Sequence, residues 1–242
     1  MKKSEIILFI LFVTFLFFID PLYAGPGGAI AKGLFKTWWG KILLLVVTIV
    51  LLPFIIYIKS VEFFKVKKTK KQLMHIGLKN RDFSWLNLEK NFSNIITRVY
   101  DAWGDEDMSK VKEYVNHWYW QNQQSTHLDK WKSNNLQNIC NLQKIHKIRP
   151  LYLELTNEND LEGSKIVISI SGTIEDYLIN KDTQKIIEGN RGYQNESHIW
   201  VMEYTNGKWL LDDIKDSDLS LAFAKMENMI PENVLMTNRK IS

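Results

Sequence analysis

The side chains of this chain that could do chemistry are few, and most fall where apolar residues repeat at every second position. Asp176, Tyr177 and His198 lie in that stretch, as does Tyr152. An acid–base pair such as Asp176 with His198 could move a proton, provided a fold places both in a cavity dry enough to shift their pKa values. The plainer reading outweighs it. Asp176 ends a strand where a carboxylate can cap a turn, and His198 reads as a partly solvated strand residue. The histidines His75, His117, His127, His146 and His198 include no pair at the i, i+4 spacing of a helical metal site, and a lone Cys140 adds little. No phosphate loop, nucleophile elbow or dinucleotide glycine pattern occurs, so no catalysis, metal or cofactor is expected. The remaining cluster is Trp118-Tyr119-Trp120. A helix cannot bury all three rings on one stripe, so at least one is expected at the surface or at a cavity mouth, as a contact for a partner or an acyl chain. The competing reading is that these rings close the wide end of a small sheet.

The elements that must position these residues change period near Pro150. From Asp82 to Trp103 the apolar residues Trp85, Leu88, Phe92, Ile95, Ile96, Val99, Tyr100 and Trp103 repeat every three or four positions, the stripe of a long amphipathic helix. Asp107 is a good N-cap for a second helix using Met108, Val111, Tyr114, Val115 and Trp118. A third helical stretch is expected from about Thr126, through Leu128, Trp131, Leu136, Ile139, Cys140 and Ile145, ending near Arg149 because Pro150 disfavours helix before it. Beyond that the period is two. Leu151, Leu153 and Leu155 predict a strand with one buried face, and Ile166, Ile168, Ile170 and Ile174 another, with Gly172 suggesting a bulge or bend. Ile186-Ile187 suits a short strand. His198, Trp200, Met202 and Tyr204 share a face, and Asn206-Gly207 is a hairpin signal returning through Trp209 and Leu211. Helices first and a strand meander second imply an α+β domain, with helices packed on one face of a curved antiparallel sheet. The tail from 217 to 242 holds one possible helix, Leu219 to Met229, before Pro231.

The N-terminal part is of another kind. Ile42 to Ile58 is an apolar run closed by Lys41 and Lys59, with Trp38, Trp39 and Tyr57 at its ends, and it predicts a transmembrane helix over 42–58. Residues 1–24 fit a signal peptide ending at Ala24, or else a first membrane helix that would make the protein a hairpin. Either way residues 25–41 form a short external segment. Residues 59–82 form a basic linker, whose charge predicts a cytoplasmic face for everything after it. Within it Lys65, Lys67, Lys68, Lys70 and Lys71 could also lie on anionic lipid, at about 1 kcal/mol per cation near the surface. The net charge of +4 conceals this asymmetry. Residues 1–82 carry 13 basic and 4 acidic side chains, leaving 18 and 23 in residues 83–242, about −5. A mildly acidic domain lacks the clustered basic face that binds phosphates, so nucleic acid is excluded as a partner. One cysteine allows no internal disulfide.

Several of these residues together resemble a known family, the domain of the mitochondrial inner-membrane translocase subunit of 44 kDa and its bacterial relatives (Tim44-like). The likeness begins at Ala102-Trp103 with Asp107, continues at Asp176-Tyr177, Thr183 and Gly189, and closes with Trp200, Met202, Gly207, Trp209, Leu211 and Ile214. It spans roughly residues 84–216, within a domain drawn here at 83–216. The resemblance implies a cone-shaped fold like nuclear transport factor 2, held at a bacterial inner or cell membrane. It further implies an adaptor in protein transport, insertion or assembly that contacts membrane lipids and a protein partner. A binder of a lipid or apolar small ligand in the cone is the alternative, with Tyr152, Asp176, Tyr177 and His198 as residues that could point into it. An isomerase- or hydrolase-type enzyme comes third.

Overall fold

The structure is a computed structural model that describes residues 37–156, 161–232 and 234. The expectations for residues 1–24, and most of those for 25–41, lie outside the described residues. The chain forms two compact units that meet between Ser60 and Val61.

In the first unit the described chain is the start of helix α1, Trp38–Gly77, 40 residues in all. The helix continues through Pro53, and Thr48 ties its hydroxyl back to the Leu44 carbonyl at 2.8 Å. None of the apolar window is covered by the described chain. A core helix of a water-soluble domain would be buried over this length. This helix is therefore a candidate membrane span, consistent with a single-pass membrane protein.

The second unit, Val61–Ser242, is α+β. A curved antiparallel sheet runs in the order β1-β2-β4-β5, with β3 paired to β2. The strands are β1 Leu136–Glu154, β2 Lys165–Asn180, β3 Ile186–Gly189, β4 Gln194–Thr205 and β5 Lys208–Asp216. Helix α2, Trp85–Gly104, covers one face. Its N-cap Ser84 makes no side-chain bond to the first turn, a loss of about 1 kcal/mol. Leu88, Phe92, Ile95, Ile96 and Val99 are buried on its inner stripe, at about 1.5–3 kcal/mol each. Packing, not capping, holds this helix. Ile166, Ile168, Ile170, Trp200 and Met202 meet it from the sheet. The Asn206-Gly207 hairpin forms as expected, with both residues in the left-handed region, at φ 53 and 72.

Two expectations are corrected here. The helix expected after Asp107 is broken into a 3₁₀ turn, Met108–Val111, and a short α3, His117–Gln123. Between them Val115 bridges to Leu211 of β5. The third helix is more seriously misread. After α3 a π turn, Gln124–Leu128, leads into α4, Asp129–Ser133, and the chain then becomes β1, straight through Arg149 and Pro150. The cause is three bulges in the β1–β2 ladder, at Leu142/Lys144, Ile145/Lys147 and Pro150/Tyr152. Each adds a residue to a period of two. Leu142, Ile145 and Ile148 are thus spaced by three and imitate a helical stripe. The last bulge also puts Leu151 beside Tyr152, in a cluster separate from Leu153, so this strand buries both faces instead of one.

The reverse face of the sheet is covered as well. Leu151, Tyr152, Val167, Ile199 and Val201 pack there with Ala224 of α5, Ser220–Lys225, and with Val61 and Val66 of α1. Residues 61–77, expected as linker, are helix inside the domain, with Leu73 and Ile76 in the main core. Their inner face also carries buried polar groups, Glu62, Lys65 and Thr69. Glu62 is nearly fully buried, meets Arg149 at 3.5 Å and accepts from the Ser220 hydroxyl at 2.5 Å. Asn228 donates to Thr69 at 2.9 Å and to Gln72 at 2.5 Å, while its oxygen accepts from the Leu153 amide at 3.1 Å. The helix expected at 219–229 ends at Lys225, and the chain beyond it pairs Met229 with Leu153 and Leu155.

Gly104 ends α2 directly against β1, where an added Cβ would stand 2.6 Å from the Cys140 carbonyl oxygen. Backbone cannot yield as a side-chain tip does. Gly104→Ala is therefore expected to cost about 1–3 kcal/mol, read as a lower urea midpoint with an unchanged slope.

Candidate functional site

The end of α2 does not fill the space beneath it. A cleft of about 440 Å³ opens there, between α2, the α3–α4 segment and the sheet. Its helical wall has a simple origin. Tyr100 and Trp103 sit at i and i+3 on α2. Tyr119, Gln123, His127 and Trp131 follow at intervals of four through α3, the π turn and α4. Steps of four overshoot an α-helical turn of 3.6 residues, and the wider π turn takes up the excess. The stripe therefore stays aimed at one place. Trp103, His127 and Trp131 form a three-ring group, with centroids 6.2, 6.0 and 5.6 Å apart and planes tilted by 46° to 55°.

The sheet supplies the floor. Asn138 and Cys140 alternate on β1, Asp176 pairs opposite Cys140 on β2, and His198 and Trp200 line the floor from β4. Glu188 of β3 and Ile214 of β5 complete it. Gly189, at φ +77, lets β3 approach closely, since a Cβ there would lie 2.5 Å from the Asp176 carbonyl oxygen. Tyr100 stacks on Trp200 at 6.1 Å. The Trp200 indole N–H is buried with no acceptor.

The electrostatics of the cleft are those of a partly desolvated acidic pocket. Asp176 keeps contact with solvent through the open mouth, yet protein atoms crowd its carboxyl group. Its pKa is raised, first by this desolvation and then by Glu196, with His198 opposing. Burial likewise pushes the Cys140 thiol far up, aided by Asp176 and Glu196, and it raises the Tyr100 and Tyr119 hydroxyls. Cys140 is thus held as a thiol, not a nucleophilic thiolate. His198 shares its Nε2 with Glu196 at 3.2 Å. No lysine or arginine is among the described residues lining the cleft. Among the described residues no group of three His, Cys, Asp or Glu side chains is arranged to hold a metal ion.

Of the residues singled out in the sequence, the cleft gathers Tyr119, Asp176 and His198. Trp118 is half exposed and outside it, donating its indole N–H to Asp212 at 3.1 Å. Trp120 packs on the main core beside His117. Tyr177 is partly buried but does not line the cleft. Tyr152 lies in the reverse-face cluster, its hydroxyl donating to Glu154 at 3.2 Å. Among the lysines, Lys67, Lys68 and Lys71 are exposed. Lys70 lies 4.8 Å from the Trp85 ring centroid. Lys65 is buried rather than on a lipid-facing surface. It donates to the Met226 carbonyl, and burial, helped by Lys68, holds its pKa down to about 8. Trp103, His127, Trp131, Cys140, Glu188 and Trp200 were not expected here as site residues. The four-residue spacing from Tyr119 to Trp131 was the signal available.

No protein-family model matches the chain, and no curated protein matches it. Among solved structures it is similar to the intermembrane space region of the chloroplast protein ARC6, at 9% identity, over 53% of this chain and 96% of that chain, with a TM-score of 0.37. That likeness assigns neither fold nor function.

A raised carboxyl pKa means that the folded state holds the Asp176 proton more tightly than the unfolded chain does, so this residue's contribution to stability falls as pH rises through its folded pKa. Glu196 and Glu188 act in the same sense and His198 against it. Asp176→Asn is accordingly expected to raise the thermal midpoint at pH 7.5. The gain should shrink as pH falls through the ordinary aspartate range and vanish below about pH 3, where the carboxyl is protonated in both states. A midpoint that falls at pH 7.5 would contradict this reading.

Proposed function

We propose that this chain is a membrane-anchored, non-catalytic binding protein, with a Tim44-like domain of the cone-shaped nuclear transport factor 2 kind, and that the cleft is its binding site. The observation that carries this is the unfilled cleft, lined on its helical wall and floor by aromatic side chains and open at its mouth. Concave, largely aromatic pockets with a few polar groups are where ligands bind. In this reading α1 anchors the protein in a bacterial inner or cell membrane. The domain works on the cytoplasmic side, in protein transport, insertion or assembly. A lipid or other small ligand in the cleft is favoured by the same cavity, and exposed Trp118, together with Leu86 on α2, offers apolar contact for a protein partner. Catalysis is the weakest reading. Cys140 and the tyrosines are held neutral, and His198 is engaged by Glu196.

The test is photo-cross-linking in intact cells, with a benzophenone amino acid in place of Trp131 and, as control, in place of exposed Ile187. A defined adduct, whether polypeptide or small molecule, is expected from position 131 alone. The same adducts from both positions, or none from 131, would remove the cleft as binding site.

A further inference from the structure

We infer that the cleft recognises a small organic cation of the quaternary ammonium class, its methylated head held against the Trp103, His127 and Trp131 rings and facing Asp176 and Glu188. The inference rests on the reading of the cleft as a binding site and adds the charge and chemistry of what enters it. Three observations converge. The three rings lie tilted to one another around one corner, and the indole faces of Trp103 and Trp131 carry the negative quadrupole that attracts cations. Two carboxylates line the cleft, Glu196 adds its field, and no described lysine or arginine lines the cleft to neutralise them. Finally, the Asp176 carboxylate is solvent-exposed at the mouth on one side and crowded by protein atoms on the other, so it is partly desolvated before any ligand enters. A neutral or anionic ligand would leave that charge uncompensated, whereas a cation relieves it. Among cations the poorly hydrated, methylated kind loses least on leaving water.

The chemistry does not distinguish a free solute from a lipid headgroup carrying the same ammonium. The experiment therefore has two arms. The first uses the full chain in maltoside micelles at pH 8 and titrates choline and its neutral isostere 3,3-dimethylbutan-1-ol by calorimetry. Choline is expected to bind saturably and about tenfold more tightly than the isostere. Trp131→Ala should weaken choline by about tenfold. Asp176→Asn should weaken choline but leave the isostere unchanged, a difference that a purely structural role would not produce. The second arm repeats the choline titration in phosphatidylglycerol vesicles with and without phosphatidylcholine. Competition by the latter assigns the headgroup as source, and its absence assigns a free solute.

Equal or tighter binding of the isostere would overturn the cation assignment while leaving the cleft as an apolar ligand site. Failure of both probes to bind also overturns it. Cross-linking from position 131 then decides separately whether the cleft binds anything.

Discussion

The structure depends on how β1 pairs with β2. A strand of 19 residues in regular register would give an extended, gently twisted ribbon that could not wrap around a helix. Three bulges bend it instead, so one face of the sheet curves around α2, and Gly172 allows the Lys144 carbonyl to approach where a Cβ would collide at 2.8 Å. The core follows from that curvature. So does the cleft, because α2 stops at Gly104 on Cys140 while the sheet continues past it. The aromatic stripe of α3 and α4 closes the side of that space and leaves its mouth open.

A second constraint works on the reverse face. Residues 61–77 pack there with Glu62, Thr69 and Gln72 facing inward, each with a named partner on β1 or in the C-terminal segment. A buried carboxylate without Arg149 would cost several kcal/mol, so the pair fixes this helix in one position more than it adds stability. Apolar side chains could slide along the sheet; this set of bonds can be made in only one register.

Much of this was legible in the chain. The α2 stripe, the Ile166–Ile174 face and the Asn206-Gly207 hairpin obey local rules, and each forms where those rules place it, whereas the bulge suggested at Gly172 lies opposite it, on β1. The misreadings share a cause. Between Leu136 and Pro150 bulges turned a period of two into apparent threes, and a proline was read as a helix stop when it sits in an edge strand, where a missing N–H is tolerated. The lysine-rich segment looked like a linker because charge dominates its composition. Its inward face carries polar groups satisfied by residues some 85 to 160 positions away, which no local pattern can show. The site was half legible for the same reason. Asp176 and His198 stand out as chemistry, but the cleft exists only once α4 ends and β1 begins, so Trp131 was assigned to a longer helix. Alternation sets Tyr152 opposite Leu153, where it lies, but the bulge at Pro150/Tyr152 moves Leu151 to the same reverse face, away from the cleft.

The measurement that tests this account most directly is the pattern of backbone nuclear Overhauser effects along residues 136–154 in the isotope-labelled chain. The account predicts cross-strand contacts for Ile139 with Tyr177, Ile148 with Ile170 and Leu153 with Ile166, the partner advancing by one residue fewer at each of the three bulges. Sequential i to i+3 helical contacts from 136 to 149 would contradict it. With the bulged strand would go the curvature and the cleft.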